Sequence, residues 1–223
     1  MVWRLTWELV LFYVFLGALL FGTAGTFDWW GGWVFLAEMI VGGVAVCWWL
    51  LVHDPGLMRE RLDGFQKAQV FADRVLTAFI QFGFFAWVML MALDRRWQIS
   101  HMSRGWNYAG ALLAASFYPV CWRIFRENSF AAPVVKIQKD RNQTVVTSGP
   151  YRFVRHPMYA GSIVFFVGLP LLFGSWPGLL GVPFFMGLLV LRIPIEERAL
   201  RENIAGYDDY AARVRYRLVP GVW

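Results

Sequence analysis

Charge is what this 223-residue sequence has little of: Asp, Glu, Lys and Arg make up 16% of it, against about a quarter in soluble domains. Cysteine is scarce as well. Cys47 and Cys121 both fall inside apolar runs and read as small buried residues rather than a disulfide or metal pair. The three histidines, His53, His101 and His156, share no ligand-like spacing, so no metal site is expected. No glycine-rich turn follows a strand-like run, which leaves out the phosphate-cradling loop of soluble nucleotide-binding sheets. No basic segment, short apolar core and small-residue cleavage site open the chain, so no removable signal peptide is expected. Internal repeats and low-complexity tracts are absent too.

Apolar and aromatic residues fill the space, at 58% and 18% with 13 Trp. They gather in runs near the length of about 20 residues that a membrane helix needs. Six spans are expected, near 7–26, 29–52, 74–93, 106–125, 158–173 and 176–193, the last two joined by "GSWPG" as a tight hairpin. The fold class is therefore all-α, a polytopic membrane protein. Beyond Leu191 the chain reads as an amphipathic helix continuing to about Arg215, bent at Pro194.

The net charge of +6 is a topological signal rather than a nucleic-acid footprint. With the N-terminus, loop 53–73, connection 126–157 and C-terminal tail placed together, and residues at the helix borders counted with them, that side holds 18 of the 21 Lys and Arg. The other side keeps Arg95, Arg96 and Arg104. The positive-inside rule then expects both termini in the cytoplasm. Lipids are expected partners and nucleic acid is not.

Residues 1–125 read as a transmembrane scaffold and 126–223 as the chemical core. Glu38 stands out in the scaffold, mid-helix, as either a functional group or a protonated carboxyl bonded to a neighbour. In the core, "GPYRFVRHPMYAG" (149–161) sits at the mouth of the fifth run. Pro157 is suited to a first helical position, with His156 as cap and Tyr159 in the first turn. Such a helix start beside Arg152 and Arg155 suits an anion, or else it is a capped helix whose arginines reach for headgroups. Arg192, Glu196, Leu200, Asn203 and Tyr207 share one helical face, and Glu197 can pair with Arg201. Tyr207 and Tyr210 can anchor the tail at the membrane surface.

"TSGPYRFVRHPMYAG", "RIPIEERAL" and "GYDDYAARVRYRLVPGVW" together resemble the isoprenylcysteine carboxyl methyltransferase and phospholipid methyltransferase superfamily, from about Arg126 onward. The resemblance implies an integral-membrane methyltransferase using S-adenosylmethionine (SAM), with a cytoplasmic site. It implies that Gln143, Thr144, Val145, Val146, Tyr151, His156, Pro157, Met158 and Tyr159 line the cofactor, with Gln138 as the match to an upstream family glutamine. Glu196 would hold the cofactor, and Arg192 would face the methyl acceptor; these two are the expected catalytic pair. Arg155 could receive the SAM carboxylate. A carboxylate acceptor needs no general base, whereas an amine does, and Glu197 is the near candidate for one. Ile193-Pro194-Ile195 replaces the polar, acidic run of eukaryotic members, so the expectation is a lipophilic acceptor, isoprenylcysteine-carboxylate-like or another carboxylate, thiol or amine lipid, with a carboxylate or thiolate favoured. An NADPH-dependent sterol-type reductase and a non-catalytic lipid-binding or transport protein are the alternatives.

Overall fold

The computed structural model describes residues 2–63 and 70–223. The centre of the second basic loop, with Lys67, lies outside the described residues. The described chain is all-helical: α1 Val2–Ala24, α2 Trp30–His53, α3 Pro55–Leu62, α4 Phe71–Trp97, α5 Arg104–Ala115, α6 Phe117–Glu127, α7 Pro157–Phe173, α8 Trp176–Leu179, α9 Gly181–Asn203 and α10 Tyr207–Arg213. Four helical stretches are long and apolar enough to cross a membrane: α1, α2, α4 and the α8–α9 stretch Trp176–Asn203. The shorter apolar α7 has 17 residues.

The expected span 106–125 is broken at Ser116 into α5 and α6. The cause is local. Pro119 has no N–H and its ring clashes with the carbonyl four residues back, that of Ala115, where α5 ends. The Ser116 hydroxyl meanwhile donates to the Leu113 carbonyl at 2.7 Å. The α5 half packs backbone to backbone on α7. A β-carbon added at Gly110 would stand 2.1 Å from the Leu172 nitrogen, and one at Gly168 2.7 Å from that of Ala114. Small residues are what permit so close a crossing.

The expected hairpin forms. Gly174 ends α7 in the left-handed region (φ +73°), and the Ser175 hydroxyl accepts from the Gly178 N–H to start α8. The expected single helix to Arg215 does not. The α9 helix runs through Pro194 but stops at Asn203; Ile204 is extended and Gly206 is left-handed (φ +79°) before α10 turns away.

An apolar cluster joins α1, α2 and α4 to α7 and α9, with Leu16, Phe35, Val88, Met91, Leu169 and Phe185 all buried in it. At one end of the bundle, ion pairs tie together the segments that the charge pattern grouped: Arg4 with Asp63, Glu60 with Lys136, and Asp54 with Arg141. At the other end Asp94 accepts from the Ser100 N–H and hydroxyl and from the Ser175 hydroxyl, tying α4 to the α7–α8 turn.

Candidate active site

The start of α7 has the anticipated form: His156 is the N-cap residue and Pro157 the first helical one. What fixes it comes from the far end of the sequence. The Arg155 and His156 N–H groups donate to the carbonyls of Tyr216 and Arg217, each at 2.9 Å. Below them Glu197, with its side chain 3% exposed, gathers Arg155 (2.9 Å), Arg217 (3.2 Å), His156 (3.3 Å) and Arg201 (3.6 Å). The expected Glu197–Arg201 pair is thus the loosest of four contacts. A carboxylate this enclosed is tolerable because cationic donors surround it.

Beside this knot lies a cavity of about 330 Å³, within the range of small-molecule sites. Gln143, Thr144, Val145, Val146, Tyr151, His156, Pro157, Met158, Tyr159, Arg192 and Glu196 all line it. Its other wall is apolar, with Ile80 of α4, Phe117 of α6, Phe166 of α7 and Leu189 of α9. Gln138 is not among the lining residues. Fully buried, it spends its amide on the Phe130 carbonyl and Arg141, and its N–H on the Gln143 side chain. It braces the wall that Gln143 belongs to.

The reactive-looking groups are coupled. Tyr159 stacks parallel to His156 with ring centres 5.4 Å apart, and its hydroxyl donates to Glu196 at 2.6 Å. The Arg192 guanidinium lies 5.7 Å over the same Tyr159 ring. Arg192 is already paired, through its Nε to Asp73 of α4 at 2.6 Å, and it donates to the Pro133 carbonyl at 2.7 Å. Asp73 is fully buried and also takes the Val135 N–H. No local spacing announces that pair; the trace in the sequence is a lone acid one residue before the expected start of the third span.

Three further expectations change. Arg155 lines the cavity while it pairs with Glu197 and donates to the Ala211 carbonyl, so part of its charge is already spent within the protein. Tyr207 and Tyr210 do not anchor the surface: both are buried and line the cavity. Tyr210 donates to the Tyr151 carbonyl at 2.9 Å, and the Tyr151 hydroxyl accepts from Asn128 at 2.7 Å. Burial pushes the Tyr151 phenol above its ordinary value and that of Tyr210 up to about 12, so both are neutral near pH 7. Asn203 caps back onto the Ala199 carbonyl rather than entering the site. Glu38 stands apart from the cavity, with its Oε2 buried and unbonded.

The lining chemistry fits SAM. Glu196 offers an acceptor for an ammonium or ribose hydroxyls, tyrosine faces suit an adenine or a sulfonium, and Val145 and Val146 give apolar cover.

Comparisons with known proteins point the same way. Residues 106–205 match the phospholipid methyltransferase family. That match starts upstream of the quoted resemblance, in α5, and stops before the tail that pins Arg155 and His156. The chain is also 26% identical over 129 residues to protein-S-isoprenylcysteine O-methyltransferase B of Arabidopsis thaliana, covering 57% of this chain. It spans 62% of that relative's length. With its apolar helices and these two likenesses, the chain resembles the membrane proteins of the isoprenylcysteine carboxyl methyltransferase and phospholipid methyltransferase-like superfamily.

Proposed function

We propose that the protein is a SAM-dependent integral-membrane methyltransferase that moves a methyl group to an oxygen of a lipophilic acceptor, a carboxylate above all. The observation that carries this reading is the convergence of Tyr151, His156–Tyr159, Arg192 and Glu196 on one cavity that also has an apolar wall of Ile80, Phe117, Phe166 and Leu189. Division of the chain into a scaffold, 1–125, and a methyltransferase core, 126–223, belongs to the same proposal. So does a cytoplasmic site with both termini on that side, which the clustering of basic segments at the cavity end supports.

When bound, SAM would supply an electrophilic methyl on a sulfonium, leaving the protein to align and desolvate. Glu196, held by the Tyr159 hydroxyl, is fixed to accept hydrogen bonds from the cofactor. The Tyr159 ring lies between Glu196 and Arg192 and can face a cation. Arg192 has its Nε and one terminal nitrogen committed. Its remaining N–H groups can orient an acceptor oxygen. Ile80, Phe117, Phe166 and Leu189 shed water from the acceptor's side and so favour in-line displacement in a dry pocket. Glu197 is not among the cavity-lining residues and is bound by three arginines and His156, so it is not placed to deprotonate an amine. An acceptor already ionised at neutral pH avoids that need. The relative's name specifies isoprenylcysteine O-methylation, which supports an oxygen acceptor on a lipophilic molecule.

The test is transfer of a radiolabelled methyl from SAM into a membrane lipid extract, with wild type and Glu196→Ala compared. Wild type should label an extractable lipid, and Glu196→Ala should lose about two orders of magnitude of rate. Equal labelling by both proteins overturns the site; no labelling by wild type overturns the activity.

A further inference from the structure

Charges in the cavity wall can be accounted for one at a time. Arg155 is held by Glu197, Arg192 by Asp73 and Lys136 by Glu60. Arg61 of α3 is different. It lines the cavity, yet among the described residues no carboxylate stands at ion-pair distance from it. One of its five N–H groups donates to the Ala131 carbonyl at 2.9 Å. Its guanidinium lies 4.6 Å over the Phe125 ring. Arg61 is half-buried; on its own helix lie the buried Leu57 and Met58, and Phe125 and Cys121 of α6 are close by. Burial pushes the Arg61 guanidinium below its ordinary value, opposed by the Cys121 and Cys47 thiols but by no carboxylate.

A guanidinium cannot shed its proton to escape such a site. An arginine left in apolar surroundings without a counter-charge is costly to the fold. The cost is recovered when an anion enters the space that the free N–H groups face. Arg192 has a carboxylate of its own in Asp73 and Arg155 shares Glu197 with Arg217 and Arg201, whereas Arg61 has no carboxylate at ion-pair distance among the described residues.

We propose that Arg61 is the anion-binding residue of this cavity and takes a carboxylate of the bound ligand, either the methionyl carboxylate of SAM or the carboxylate of the acceptor. This rests on the methyltransferase reading above. It places the recognition of the ligand's charge on α3, upstream of the family-matched segment 106–205.

The experiment uses the full chain in detergent micelles, as wild type, Arg61→Met and Arg61→Lys. Probes are SAM, decarboxylated SAM (the same sulfonium without its carboxylate) and palmitate as a lipophilic carboxylate. If the cofactor is the source, Arg61→Met weakens SAM roughly tenfold to a hundredfold. Arg61→Lys then recovers part of the loss, and decarboxylated SAM binds all three proteins alike. If the acceptor is the source, SAM binding is unchanged and the stabilisation of wild type by palmitate disappears in Arg61→Met. Without ligand, Arg61→Met should unfold at the wild-type temperature or higher, since it removes an unpaired charge. A fall in that temperature would make Arg61 a structural residue and overturn the proposal, as would unchanged binding of both SAM and palmitate. Failure of wild type to bind SAM would count against the methyltransferase reading, and the palmitate arm would still decide Arg61.

Discussion

Both ends of this bundle are stitched by buried carboxylates, but with different thread. At the cavity end, Asp73 and Glu197 hold arginines, and the groups they bind line or adjoin the site. At the opposite end Asp94 holds serine hydroxyls and a backbone N–H. Both arrangements join segments distant in sequence. The difference lies in what breaks when the carboxylate goes. Hydroxyl donors are left neutral and can turn to water, whereas an arginine is left as a buried charge. Charged donors are placed where the carboxylates adjoin the cavity, and uncharged donors at the opposite end.

Three substitutions sharpen that contrast, beginning with the most damaging. Asp73→Ala leaves Arg192 charged and unpaired, and should cost about 3–5 kcal/mol. Thermal unfolding in detergent should show it, with methyl transfer lost even at temperatures where the variant is folded. Glu197→Gln keeps the shape but removes the charge that Arg155, Arg217 and His156 share. A loss of about 1.5–3 kcal/mol is expected, and limited proteolysis should cut between Arg213 and Arg217 much earlier than in wild type. Ser175→Ala removes a hydroxyl bond to Asp94 and the cap of α8, for about 2 kcal/mol, and should leave the rate of methyl transfer untouched. Were Ser175→Ala to match Asp73→Ala in either readout, the two ends would not differ as described.

What could be read in advance was what depends on neighbours in the chain. Pro157 after His156 sets a helix start, and steps of four place Arg192, Glu196 and Leu200 on one face; the cavity contains all of them. The break at Ser116 was also written locally, in Pro119, but the apolar run around it outweighed a single proline. Asp73 and Arg61 were hidden because their roles come from packing between elements more than 60 residues apart in sequence, Arg192 in one case and Ala131 in the other. The inward turn of Tyr207 and Tyr210 depends on Gly206, whose positive φ redirects the chain after Ile204. Gln138, which the resemblance matches to a family glutamine, has its amide bonded to the Phe130 carbonyl and Arg141, a placement set by packing that a motif match does not carry.

The carbonyls of Tyr216 and Arg217 that receive the Arg155 and His156 N–H groups have a consequence for biogenesis. A chain that holds α7 and α9 but lacks residues 216 and 217 leaves Glu197 without Arg217 and the two amides ahead of Pro157 without their partners. The cavity wall is thus completed only once the segment after α10 has been made. A truncated translation product would carry an inserted bundle with an unfinished wall, open to quality-control proteases on the side where the tail should lie.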